Sequence, residues 1–158
     1  MKFIKMLNPI GNVMLVLLLL LLLAIKGPTL LNYQVYYILS DSMAPEINPG
    51  ALIYVKEAKL DEVIPGDCIT FRLGTDTRLP ATHRAVSVDL EKREIVTKGD
   101  ANPAEDIMKV RENNLIGKVV WDIPLVGYGA YFLQTGAGKI WCILTFIFVL
   151  LDKKSLKD

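Results

Sequence analysis

The chain carries a single histidine, His83, in the stretch Ala81-Thr82-His83-Arg84-Ala85-Val86. Imidazole exchanges protons near neutral pH, with an ordinary pKa of about 6.5. A serine hydroxyl is a weak nucleophile until a neighbouring base accepts its proton. Any Ser–His chemistry in this chain must therefore run through His83. A lone histidine is also a common structural residue, and a desolvated lysine, with Lys98 the nearest by context, is the alternative base. Two further segments bear groups of the right type. Ser40-Asp41-Ser42-Met43-Ala44-Pro45 follows an apolar, β-rich stretch at 33–39. It offers two hydroxyls, and it reads equally well as a turn or a helix cap. Thr97-Lys98-Gly99-Asp100-Ala101-Asn102-Pro103-Ala104-Glu105-Asp106 has the composition of an ordinary loop after a strand. Its carboxylates could also orient a histidine and stabilise its protonated form, as the acid of a triad does.

The elements that must hold these groups read as β-structure. Residues 51–56 (ALIYVK), 67–72 (DCITFR), 82–88 (THRAVSV), 94–98 (EIVTK) and 118–121 (KVVW) are short and rich in Val, Ile, Thr and Tyr. Pro49-Gly50, Pro65-Gly66, Gly74, Gly99 and Pro103 punctuate them. No periodic segment of helix length lies between Pro28 and Gly117. The expectation is a mainly β domain over residues 28–138, flanked by an N-terminal segment at 1–27 and a C-terminal one at 139–158.

Both flanks are apolar. Residues 13–25 are unbroken, with seven leucines in a row at 17–23. Extended back to Ile10, the run reaches about one membrane span, a little short. A cleaved leader would look similar. The exit Ala24-Ile25-Lys26-Gly27-Pro28 lacks a small-x-small site, which favours an uncleaved anchor. Residues 140–151 form a second run, read either as a transmembrane segment or as an interfacial helix. Lysines at 2, 5, 153 and 154 flank the outer ends. The positive-inside rule then puts both termini in the cytoplasm and the β domain outside it. Of 158 residues 52% are hydrophobic, and the formal net charge of +1 gives no sign of a nucleic-acid partner. One His and two Cys are too few for a His/Cys metal site, and no cofactor is expected. Cys68 and Cys142 fall in different parts of this plan, so no internal disulfide is expected.

Taken together and in order, these segments resemble the type I signal peptidase family. The likeness is to its Ser-His branch, found in archaea, in the endoplasmic reticulum complex and in some Gram-positive bacteria. The family's S-x-S-M-x-P box is matched by Ser40-Asp41-Ser42-Met43-Ala44-Pro45, with Asp41 where the family often has Gly. Its G-D box is matched by Gly66-Asp67-Cys68-Ile69, and its H-R box by His83-Arg84-Ala85-Val86. Its K-G-D-x-N box begins at Lys98-Gly99-Asp100-Ala101-Asn102 and ends at Asp106. Gly117-Lys118-Val119-Val120, Ile123-Pro124 and Gly127-Tyr128 are similar to its final segment. The likeness spans residues 33 to about 130. It implies an antiparallel β domain between two transmembrane helices, and a membrane-bound serine endopeptidase that removes signal peptides after a small residue.

The same resemblance implies Ser42 as nucleophile and His83 as base. Asp106 is the first choice for the acid that orients His83, and Asp100 the second, the latter also able to fix the loop or Arg84. Ser40 and the Ser42 N–H would serve the oxyanion, with Met43 on the substrate side. Implied partners are precursor proteins bearing signal peptides, membrane lipid and the secretion translocon. A non-catalytic membrane subunit, a Ser–Lys peptidase with structural His83, and a self-cleaving repressor-type protease are the competing readings. The anchors, and the absence of any DNA-binding segment, argue against the last.

Overall fold

The computed structural model describes residues 2–74 and 79–154. An N-terminal helix α1 (Lys2–Lys26) leads through a short 3-10 turn at Pro28–Leu31 into seven strands. These are β1 (Tyr33–Tyr37), β2 (Leu52–Glu57), β3 (Cys68–Arg72), β4 (Pro80–Asp89), β5 (Glu94–Lys98), β6 (Val110–Arg111) and β7 (Leu115–Ile123). Helices α2 (Val126–Gln134) and α3 (Gly136–Lys154) follow. The strands form one sheet in the order β1-β2-β7-β3-β4-β5-β6, antiparallel at every pairing. β1 and β6 are its edges.

The expected strands are present, with shifts at their ends. β7 runs beyond the expected 118–121 because Leu115 and Ile116 pack inward and extend the ladder. β6, two residues long, gave no run for the sequence to show. Between Pro28 and Gly117 the described helical elements are 3-10 turns of three or four residues.

Alternation along the strands divides the apolar residues among three cores. Ile69, Phe71, Ala85, Ile95 and Val110 meet Leu60 and Val63 under the β3-β4-β5-β6 half. Ile53, Val55 and Ile116 cover Met43 and Ile47 from the loop after β1. On the other face of β1 and β2, Leu52, Tyr54, Tyr33 and Val35 pack against Ala24 and Ile25 of α1 and Val126 and Ala130 of α2. The sheet is thereby fixed to the helices by side-chain burial, at roughly 25 cal/mol per Å² of apolar surface removed from water.

The segment Gly11–Leu31 is long and apolar enough to cross a membrane. α2 and α3 meet at a 92° bend, and only the two together approach that criterion. α3 begins at Gly136, ahead of the apolar run read at 140–151, and packs along α1. Residues 155–158 of the expected basic tail lie outside the described residues.

Candidate functional site

The Ser42 loop is pinched at its base. Ile38 N–H donates to Ala51 C=O (2.9 Å) and Gly50 N–H to Ile38 C=O (2.8 Å), so residues 39–49 leave and re-enter the sheet at one point. Inside it, Ala44 N–H donates to Asp41 C=O and Ile47 N–H to Met43 C=O, each at 2.9 Å. Met43, 1% exposed, and Ile47 anchor the loop in the core, while Asp41 stays exposed. The Ala44–Pro45 peptide is cis. The Ser42 hydroxyl lies 3.2 Å from that of Ser40.

His83 sits in the first half of β4, opposite Ile69 of β3. Its Nδ1 meets Asp106 Oδ2 at 2.5 Å, with the two side chains 16% and 21% exposed. The ring stacks edge-on to Phe71 at 6.1 Å between centroids. An ionised carboxylate accepts hydrogen bonds and cannot donate them. The proton of neutral His83 therefore belongs on Nδ1, and Nε2 carries the lone pair. Ser42 and His83 line the same cleft of about 630 Å³, whose walls are residues 35–40 on one side and residues 79–83 on the other.

Asp100 has a different partner. Its two oxygens take Arg84 Nε (2.8 Å) and Nη2 (2.6 Å), and Arg84 Nη1 reaches Gly66 C=O at 2.8 Å. The hydrogen bond to Asp100 raises the Arg84 pKa still further, so the guanidinium stays charged at any working pH. Asp67, beside Gly66, accepts from Ile64 N–H and Lys118 Nζ. Of the loop that follows β5, the first part therefore grips the serine segment and the last part returns to the histidine. Ala101 N–H donates to Ser42 C=O at 2.9 Å. Gly99 packs so closely there that a Cβ would stand 2.6 Å from the same carbonyl oxygen.

Lys98 pairs with Arg84 across the β4–β5 ladder. Alternation puts its side chain on the Arg84 face of the sheet, opposite the one that carries Thr97 and His83. Burial pushes the Cys68 thiol pKa up, with the Arg84 charge acting in the opposite direction, and holds it as a neutral thiol. Cys68 and Cys142 are both free. Among the described residues no group of three His, Cys, Asp or Glu is placed to hold a metal ion. The site thus has the parts for acyl transfer through a serine: a hydroxyl, an oriented imidazole and a carboxylate behind it.

No family model matches the chain. Among curated proteins it is 38% identical over 91 residues to signal peptidase I W of Bacillus subtilis, covering 56% of this chain and 47% of that protein. It is 28% identical over 108 residues to the signal peptidase complex catalytic subunit SEC11 of Lodderomyces elongisporus, covering 62% and 64%. With the SEC11 counterpart of Sclerotinia sclerotiorum the identity is 32% over 108 residues, covering 61% and 62%. The chain is thus similar in sequence to type I signal peptidases of the endoplasmic-reticulum and Gram-positive kind. It spans about half to two thirds of the length of the curated relatives it matches.

Two residues at this site, Thr97 and Gly66, lie in segments the sequence marks but have contacts it did not assign. Thr97 donates its hydroxyl to Asp106 Oδ2 at 2.7 Å, and Gly66 supplies a carbonyl to Arg84. A threonine in a β-rich run has no mark of its own. Only the β4–β5 register, which sets Thr97 opposite Ala85, brings it near His83.

Proposed function

We propose that the chain is a membrane-anchored serine endopeptidase that removes signal peptides from exported precursors, cutting after a small residue. The observation that carries this reading is the Asp106-bonded His83 in the cleft that also holds Ser42, beside the free edge of β1. The precursor lies extended along β1, and its backbone completes the edge hydrogen bonds. Met43 closes the floor of the cleft beneath it. Leu39, Leu79 and Ala81 line the cleft and would bound the space for the side chains next to the cut.

Ser42 Oγ attacks the scissile carbonyl carbon while its proton passes to His83 Nε2. The resulting oxyanion is met by the Ser42 N–H and the Ser40 hydroxyl; losing one such donor typically costs about 10²–10³ in rate. Collapse breaks the C–N bond, and the amine leaves with the proton from Nε2. Water then gives a proton to His83 and its hydroxyl to the acyl carbon, and collapse breaks the acyl C–O bond as His83 returns that proton to Ser42 Oγ. Asp106 holds the imidazole and stabilises its cationic form. Asp100 acts on the fold of the loop through Arg84.

Gly11–Leu31 is the anchor, and α2 with α3 makes a second, bent membrane segment. Both termini face the cytoplasm and the sheet lies on the far side, as the flanking lysines favour. The sixteen residue steps from Lys26 to Ser42 allow a reach of at most about 55 Å, which keeps the cleft near the surface where a precursor emerges. An apolar groove of about 560 Å³, lined by Leu20, Leu23, Leu31, Val120 and Trp121, lies where the anchor meets the sheet and suits contact with lipid. Proximity to the secretion translocon follows from the same placement.

Comparing His83→Gln with Lys98→Met on a precursor with a small-x-small site tests the base. The expected result is a loss of about 10⁴-fold or more for His83→Gln, as for other members of such a unit. Lys98→Met should stay within a few fold of wild type. The reverse order would establish a Ser–Lys enzyme. Indifference to both, and to Ser42→Ala, would establish a non-catalytic subunit.

A further inference from the structure

We propose that Thr97 is a positioning residue for the His83–Asp106 pair, an inference that rests on the peptidase reading above. Thr97 lies in β5 with no solvent exposure. It holds Asp106 twice: its carbonyl accepts the Asp106 N–H at 2.8 Å, and its hydroxyl donates to Asp106 Oδ2 at 2.7 Å. That oxygen is the one His83 Nδ1 meets at 2.5 Å. One carboxylate oxygen thus takes two donors, and the Asp106 side chain is fixed at both its backbone and its tip.

The chemistry of the three groups sets the direction of every proton. The hydroxyl has one proton, and ionised Asp106 accepts only, so Thr97 donates. Asp106 then draws the imidazole proton to Nδ1 and leaves Nε2 free for Ser42. Threonine suits the task because two heavy atoms on Cβ restrict χ1, which holds the hydroxyl in one direction. Valine has the same shape without the donor. In that variant Asp106 Oδ2 loses one of its two hydrogen bonds, and the carboxylate can turn away from Nδ1 while the sheet keeps its packing.

The test uses the whole chain in detergent with ¹⁵N-labelled histidine, where His83 is the sole histidine and gives one imidazole spin system. In Thr97→Val the low-field Nδ1 proton is expected to move upfield or broaden into exchange with water. kcat for precursor cleavage should fall about 10- to 100-fold, the range for a lost hydrogen bond to a charged group, with KM within about twofold. Thr97→Ser should recover most of both signals. If Thr97→Val does not fold by circular dichroism, Thr97→Cys supplies the same comparison through its weak donor. A wild-type kcat with an unmoved Nδ1 proton in Thr97→Val would overturn the inference. So would equal impairment in Thr97→Val and Thr97→Ser, which would assign the effect to shape. Ser42→Ala marks the other failure: if it still cleaves, the peptidase reading is lost, whereas the Nδ1 resonance still reports whether Thr97 positions the pair.

Discussion

Asp106 and Asp100 lie on one loop, and their partners differ: His83 for the first, Arg84 for the second. The consequence is a split between chemistry and stability. Asp106→Asn presents an amide that can favour the wrong imidazole tautomer, and kcat is expected to fall about 10³- to 10⁴-fold with little change in melting temperature. Asp100→Asn weakens a forked, charge-assisted pair and should cost about 1–3 kcal/mol of stability, with kcat reduced tenfold at most. Steady-state kinetics and thermal melts on the two variants check both halves. Equal losses of kcat would contradict the division. From sequence, the two acids could be ranked and no more, because loop composition carries no distance. Thr97 stayed hidden for the same reason, since its contact depends on a turn of the chain between it and Asp106.

At the scale of elements, the loop after β5 and the loop after β1 act as one unit. Gly99 permits their approach: an added Cβ would stand 2.6 Å from Ser42 C=O and 2.8 Å from Asn102 Nδ2. Gly99→Ala must therefore push the Ser42 backbone aside. A displacement of about 1 Å at a reacting group can cost about 10²-fold in rate, and a loss of that order is expected, with Ala101→Val at the exposed neighbour close to wild type. Activity assays on the folded variants read the difference. Most strands were legible in the sequence because β-branched runs alternate between turn residues. β6 was not, since two residues have no period. The ends of β7 were not either, since Leu115 and Ile116 extend it by packing against partners far along the chain.

For the whole molecule, one face of the β1–β2 hairpin is packed on α1 and α2, so the N-terminal helix and the sheet form a continuous body. The proposed orientation is testable by labelling in a Cys68→Ser, Cys142→Ala background. Lys2→Cys and Lys154→Cys should react with a membrane-impermeant maleimide only after permeabilisation, and Glu91→Cys should react in intact cells. Labelling of Lys154→Cys from outside would mean that α2 and α3 enter and leave on one side. The apolar runs mark both ends of the chain as candidates for lipid contact. They did not show the bend between α2 and α3, which arises where Gly136 follows the Thr135 cap.

Ser42 of this chain is proposed to cut precursors at their signal-peptide boundary. The direct measurement is N-terminal sequencing of the product formed from a precursor with a small-x-small site, using wild type beside Ser42→Ala in lipid. One new N-terminus immediately after the small residue is expected in wild type, and none with Ser42→Ala. An unchanged cut with Ser42→Ala, or no cut by wild type across several precursors, would contradict it.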